Sequence, residues 1–290
     1  MKLRVHHKTT YDYDEPASTS HNHVHLALRD LPWQKCLRRE LHIWPTPDAV
    51  TENVDYFGNI TSSFSIFEPH PRLTVAATSE IELQKRPTIE LQKSPPWEKV
   101  PSMLEGDITP AAIEACQYIY DSPFIRRSPA LAEYARASFL PNRPLLSAAM
   151  DLTLRIRKEF KYTPKVTTIA TSLDEILKNR HGVCQDFSHL QIGCLRSLGL
   201  PARYVSGYLD TDPPPGKPKL VGADASHAWI SVYCPTFGWA DFDPTNGVQP
   251  AERHVTIGWG RDFGDVSPIR GVVLGGGAHK LDVAVDVRPV

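Results

Sequence analysis

The spacing of apolar residues changes character partway along this 290-residue chain, and that change limits the fold class more than any other feature. Before residue 85 the apolar runs are short and rich in β-branched and aromatic side chains: Leu41-His42-Ile43-Trp44, Thr61-Ser62-Ser63-Phe64-Ser65-Ile66-Phe67 and Leu73-Thr74-Val75-Ala76-Ala77-Thr78. Turn formers separate them at Pro45-Thr46-Pro47-Asp48, Phe57-Gly58-Asn59 and Glu68-Pro69-His70-Pro71. Short strands so spaced predict an antiparallel sandwich or small barrel. Residues 86–105 are proline-rich and polar, a composition suited to a semi-rigid linker. The expected class is therefore α+β: an N-terminal β domain over residues 1–85, a linker over 86–105 and a second domain over 106–290.

The second domain opens with helical spacing. Thr109-Pro110 reads as an N-cap followed by proline at the first helical position, ahead of a helix running to Tyr120. Leu145, Ala148, Ala149, Leu152, Ile156 and Phe160 recur at helical intervals. Ser172-Leu173-Asp174-Glu175 is a capping box for a short helix expected to stop at Gly182. Cys184 starts another, with Phe187, Leu190, Cys194, Leu195 and Leu198 on one stripe and Gly199 and Pro201 ending it. Strands follow: Arg203-Tyr204-Val205-Ser206-Gly207-Tyr208, then a hairpin of residues 227–233 with 239–243.

Composition bounds the function. Hydrophobic residues make up 41% and charged residues 22%, a globular balance, and the net charge of -1 offers no footprint for nucleic acid or for a membrane surface. The start, Met1-Lys2-Leu3-Arg4-Val5-His6-His7, lacks the apolar segment of a secretory signal, and no apolar run has spanning length. A cytoplasmic protein is expected. The five cysteines (Cys36, Cys116, Cys184, Cys194, Cys234) are scattered and form no CxxC pair, so neither a disulfide framework nor a structural zinc site is expected.

Cys184 stands apart because the turn His181-Gly182-Val183 delivers it to a helix start. Unpaired N–H groups and the helix dipole at such a place favour a thiolate, and the glycine permits close approach of a substrate. The plain alternative is a packed helix residue, the reading that suits Cys194. Strand parity adds a partner. His227, Trp229 and Ser231 share one strand face, and Trp239, Asp241 and Asp243 share one on the partner strand. A tight reversal at Cys234-Pro235-Thr236 pairs 229 with 241 and 227 with 243, which sets Asp243 beside His227 to orient its imidazole. Gly238 in the turn would shift that register. Asp241, of the same parity, is the rival orienter, and Asp243-Pro244 also reads as a turn that bonds its own backbone.

Two further features invite chemistry. His21, His23 and His25 alternate onto one strand face, a spacing metals use, although a polar strand face needs no metal. The polar stretch from Asp210 to Lys219, just ahead of the His227 strand, is either a gate or a solvated loop.

Several segments together resemble the transglutaminase-like superfamily of papain-type cysteine enzymes. They are Gly182-Val183-Cys184-Gln185-Asp186-Phe187, Leu198-Gly199-Leu200-Pro201 through Tyr208, Ser226-His227-Ala228-Trp229, and Gly238-Trp239 through Asp243-Pro244-Thr245-Asn246. The chain is similar in particular to a bacterial subgroup of candidate cysteine proteases with a β-rich N-terminal domain. The hallmarks are Lys8-Thr9-Thr10-Tyr11-Asp12-Tyr13, Pro45-Thr46-Pro47, Asp55-Tyr56-Phe57-Gly58-Asn59 and the tail from Gly260-Arg261-Asp262 to Arg270-Gly271.

The resemblance implies a papain-like core with Cys184, His227 and Asp243 as a triad, acting on the amide bonds of a peptide or protein through a thioester. Hydrolysis by a cysteine protease or amidase is the leading expectation. Transfer to an amine, as in a protein transglutaminase, is the second, and a non-catalytic binding or assembly module is the third. That chemistry calls for no metal or cofactor. Animal members bind calcium, but no acidic loop here supports carrying that over. The Cys184 backbone N–H, at a helix start, is the expected first oxyanion donor. Tyr162 is a candidate second donor, against the alternative of an ordinary aromatic core residue. Gln185 and Asp186 read as structural, capping the helix.

Overall fold

The computed structural model describes residues 1–211 and 226–290. Its N-terminal strands are β1 (Lys2–Val24), β2 (Gln34–Trp44), β3 (Val50–Val54), β4 (Ile60–Ile66) and β5 (His70–Leu83), all antiparallel to their neighbours. β1 runs for 23 residues and serves two partners on one side. Its first half pairs with β5 from Lys2↔Glu82 to Asp12↔Arg72. Its second half pairs with β4 from Ser20↔Ile66 to Val24↔Ser62. The ladder breaks between Asp12 and Ala17, around Pro16, which has no N–H to offer it. Phe64 and Ile66 of β4 share a buried cluster with Leu73, Val75 and Ala77 of β5, so the two halves of this one antiparallel sheet share a core.

The helical layer follows: α1 (Val100–Glu105), α2 (Pro110–Cys116), α3 (Pro129–Arg136) and α4 (Leu145–Glu159). Next come the two-residue strand β6 (Lys161–Tyr162), α5 (Leu173–Asn179), the two-residue strand β7 (His181–Gly182) and α6 (Cys184–Ser197). The caps form as the sequence predicts: Thr109 Oγ1 accepts the Ala112 N–H and Ser172 Oγ that of Glu175. α5 ends three residues before Gly182. Arg180 takes a left-handed conformation (φ 56°), and His181–Gly182 then pairs parallel with Lys161–Tyr162.

Strands β8 (Ala202–Leu209), β9 (Ser226–Cys234), β10 (Gly238–Phe242) and β11 (His254–Gly260) make an antiparallel sheet in the order β10-β9-β8-β11, and α6 packs on β8 and β9. The chain closes with β12 (Ile269–Gly275) and β13 (His279–Pro289).

Those last strands correct the expected domain limits. β13 runs beside β1 from Leu3↔Pro289 to Tyr13↔His279, and β12 beside it from Ala17↔Gly275 to Val24↔Ile269. The C-terminal residues thus complete the N-terminal sheet rather than the second domain. Residues 86–105 also depart from the expected linker. Pro95 O and Ser94 Oγ accept the first N–H groups of α4 (Leu145 at 2.9 Å, Leu146 at 3.0 Å), and Val100 and Leu104 are buried in the helical core. Proline there ends secondary structure without freeing the segment. Of the polar stretch from Asp210 to Lys219, residues 212–219 lie outside the described residues.

Candidate active site

Cys184 is the first residue of α6, and the start of that helix is held by the side chain of Asp186. The Asp186 carboxylate accepts the Val183 N–H (2.8 Å) and the Thr167 hydroxyl (2.7 Å), which ties the loop after β6 to the helix entrance. This is the capping role expected of Asp186. Gly182 is required by the same contact: a Cβ at 182 would stand 2.7 Å from Asp186 Oδ2 and 2.8 Å from its Cβ. Burial is the leading influence on Asp186 and moves its carboxyl above the ordinary range, against the pull of those two hydrogen bonds.

The α6 helix is buried far beyond the expected apolar stripe. Ser188, His189, Gln191 and Arg196 are buried with it, each a residue that ordinarily faces water. Gln191 donates to Ala149 O and Thr153 Oγ1, and His189 Nε2 accepts the Phe263 N–H at 3.1 Å. Arg196 donates to the carbonyls of Ala202, Tyr120 and Arg261 and to Ser122 Oγ. The nucleophile candidate therefore sits at the end of a rod fixed on every side.

His227 lies on β9 and Asp243 just past the end of β10. Their pairing in the sheet differs from the expected one: Trp239 faces Tyr233 and Asp241 faces Ser231, a shift of two residues. The loop is Pro235-Thr236-Phe237, closed by Phe237 N–H to Cys234 O, with Gly238 at φ 80° after it. That is a three-residue hairpin loop followed by a left-handed glycine at the start of β10, the shifted register the sequence left open. A two-residue slip preserves facing, so the same side chains still converge.

His227 Nε2 stands 2.7 Å from Asp243 Oδ2, and Cys184 is close enough for its side chain to act on the imidazole. With Nε2 engaged, Nδ1 is the nitrogen left for the sulfur. Burial opposes an imidazolium here, but the hydrogen bonds to Asp243 and Cys184, with their charges, outweigh it and push His227 up to about 10. Burial would raise Asp243, yet donors from His227, His254 and Asn246 take its carboxyl well below the usual range. Asp243 is fully buried and its oxygens divide the work. Oδ1 accepts the backbone N–H of Thr245 (2.9 Å) and Asn246 (3.1 Å), while Oδ2 faces the imidazoles. Asp243 is thus both the turn former and the partner of His227. The rival, Asp241, is elsewhere engaged: Arg86 Nη1 reaches it at 2.6 Å and Trp229 Nε1 at 3.2 Å.

Tyr162 is paired with Gly182 across β6 and β7 and is 48% exposed, with its ring edge-on to Phe187. Burial, then the charges at Cys184 and Asp186, raise its phenol, which keeps the hydroxyl a donor. It is not the enclosed core aromatic of the alternative reading. Two residues at the site went unassigned in the sequence. Asn246 Nδ2 donates to Asp243 Oδ2 at 2.7 Å. His254 Nε2 stands 3.1 Å from the same oxygen. Asn246 stood inside a quoted motif, whereas His254 had no local signal, because only the β8–β11 pairing brings it in.

His21 and His23 each bond a serine of β4 (Ser65, Ser63), and His25 bonds the Ser267 carbonyl. Among the described residues, the group with donors close enough for a metal ion is His227, Asp243 and His254. There the N···O separations of 2.7 and 3.1 Å are hydrogen-bond distances.

Comparison with known proteins bears on the family and the fold. A model of the bacterial transglutaminase-like N-terminal region matches residues 3–82, and one of the transglutaminase-like superfamily matches residues 132–244. An uncharacterized protein of Mycobacterium tuberculosis is 40% identical over 297 residues, covering 99% of this chain and 93% of its own. The protein-glutamine gamma-glutamyltransferase of Pseudomonas aeruginosa is 34% identical over 128 residues, 43% of this chain and 19% of that one. The crystal structure of a candidate cysteine protease from Cytophaga hutchinsonii superposes with a TM-score of 0.79 at 23% identity, covering 99% of this chain and 90% of that chain, and so shares the fold. The chain belongs to the transglutaminase-like superfamily, a thiol-dependent enzyme family, and carries the superfamily's bacterial N-terminal region.

Proposed function

We propose that this chain is a thiol-dependent acyl-transfer enzyme acting on amide bonds of peptides or proteins. The observation that carries the reading is the buried His227–Asp243 pair, 2.7 Å apart, acting beside Cys184 at a helix start. In the proposed cycle the Cys184 thiolate attacks the amide carbonyl carbon. The resulting oxyanion is met by the Cys184 N–H and the Tyr162 hydroxyl. The C–N bond then breaks as His227 gives its proton to the departing amine, leaving a thioester on Cys184. Water, deprotonated by His227, attacks the thioester, the C–S bond breaks, and a carboxylate and the thiolate are released. Asp243 holds the imidazole throughout without taking the proton.

Amine in place of water would make the same enzyme a transglutaminase, a reading favoured by 34% identity over 128 residues to a protein-glutamine gamma-glutamyltransferase. Incubation with glutamine-containing peptides, with and without a primary amine, followed by mass spectrometry separates the outcomes. Cleaved or deamidated product that disappears in Cys184→Ala supports hydrolysis, and an amine adduct supports transfer. No product, together with a Cys184 that iodoacetamide labels no faster than a free thiol whether or not His227 is present, would leave a binding module.

A further inference from the structure

His254 opens β11, 5% exposed, with each of its polar atoms assigned. Its Nδ1 accepts the Ala251 N–H at 3.4 Å. A ring nitrogen accepting from an amide carries no proton, so the proton sits on Nε2, 3.1 Å from Asp243 Oδ2. The ring stands edge-on to Trp229 (5.3 Å between centroids, 86°), and its carbonyl accepts the Arg86 guanidinium at 3.3 Å. Asp243, His227 and Arg86 are the charged or titratable groups that face it. Burial leads in lowering its pKa, with His227 and Arg86 adding to it against the pull of Asp243, so the ring is neutral.

We propose that His254 is a positioning residue for the reacting pair: its Nε2–H donates to Asp243 Oδ2 and makes that oxygen an acceptor only. An oxygen already holding donors from His254 and Asn246 keeps the His227 proton on His227 Nε2, and that tautomer turns Nδ1 toward Cys184. The inference rests on the proposed role of His227 as base and adds to it the group that sets its tautomer. Removal of His254 leaves the reacting atoms present and loosens their orientation. Outer partners that orient an imidazole are worth about ten- to a hundredfold in comparable sites.

The test reads the rate of iodoacetamide labelling at Cys184, by mass spectrometry of its peptide, as a function of pH. Three variants are compared: His254→Leu, which has no donor; His254→Gln, whose amide reaches the Nε2 position; and His254→Asn, whose amide falls short. Leu and Asn are expected to slow labelling by about ten- to a hundredfold and to alter its pH profile, with Gln within about threefold of the unsubstituted protein. If His254→Leu does not fold, the contrast between Asn and Gln carries the same information. Wild-type rates and profiles in folded Leu or Asn variants would overturn the proposal, as would equal slowing in all three with an unchanged pH profile. A wild-type Cys184 that labels no faster than free cysteine, and is indifferent to His227→Ala, would instead sink the catalytic reading and this proposal together.

Discussion

Asp243 shows how much one buried carboxylate can settle at the residue scale. Its Oδ1 shapes the turn and its Oδ2 faces the base, so substitution by asparagine keeps the shape and puts a donor against a donor at Nε2. Asp243→Asn is expected to lower Cys184-dependent activity by about 10²–10⁴-fold while the protein remains folded, measured on any peptide substrate found. The pair also makes stability depend on pH. His227, raised to about 10, stabilises the fold fully below its unfolded value of 6.5, and that contribution fades as pH rises toward 10. Asp243, depressed, contributes above its unfolded value of 3.8 and loses that contribution as pH falls below it. The melting-temperature gap between the wild type and Asp243→Asn should therefore be widest near about pH 5–6 and narrow on both sides. Gly182 offers a second check. A methyl group there meets Asp186 at 2.7 Å, so Gly182→Ala should cost about 1–3 kcal/mol by denaturant unfolding and slow labelling of Cys184 as the helix entrance shifts.

At the scale of single elements, parity was legible and register was not. Alternation along residues 227–233 and 239–243 put the right side chains on the right faces, because side-chain direction in a strand depends on sequence parity alone. The pairing depends on the loop, where Gly238 at φ 80° chooses a three-residue connection over the tighter reversal. The α6 helix was legible at its ends and misjudged on its faces. A single stripe accounts for Phe187, Leu190 and Leu195, but Gln191 and Arg196 are buried because carbonyls from other elements await them. Burial pulls the Arg196 guanidinium down to about 10, and its five hydrogen bonds offset that penalty. Arg196→Met keeps the volume and strands those acceptors. It should destabilise the protein by about 3 kcal/mol or more, read from urea or guanidinium midpoints.

For the whole molecule the consequential feature is that the N-terminal sheet is not separate from the core. Leu3, Val5 and Ile81 share one buried cluster with Val285 and Val287 of β13 and with Tyr208, Val255 and Ile257 of the core sheet. Arg29 of the N-terminal part lies over Trp259 of the core sheet at 3.6 Å, a cation–π contact between the two parts, and within the core Arg203 lies over Trp259 (3.8 Å) and Trp239 (4.0 Å). A fragment of residues 1–85 would expose that apolar face and one full edge of β1. It should not fold alone, giving a far-ultraviolet spectrum without strand signal or an aggregate, whereas restoring residues 269–290 should be insufficient without the β8–β11 face. A cooperative melt of residues 1–85 alone would contradict this picture. The C-terminal strands escaped the sequence reading because their partner is more than two hundred residues upstream, beyond what any local pattern encodes.

By itself the sequence determined what is local: the α+β class, the helix that begins at Cys184, and the faces carrying His227 and Asp243. Periodicity, capping and alternation act over a few residues and are written in residue order. The tertiary structure decided what depends on distant pairing: the hairpin register, the burial of α6 on all sides, the closure of the first sheet by the last strands, and the arrival of His254 beside Asp243. Those contacts exist only once sheets have formed, because the burial and hydrogen bonding that select them are supplied by residues far apart in the chain.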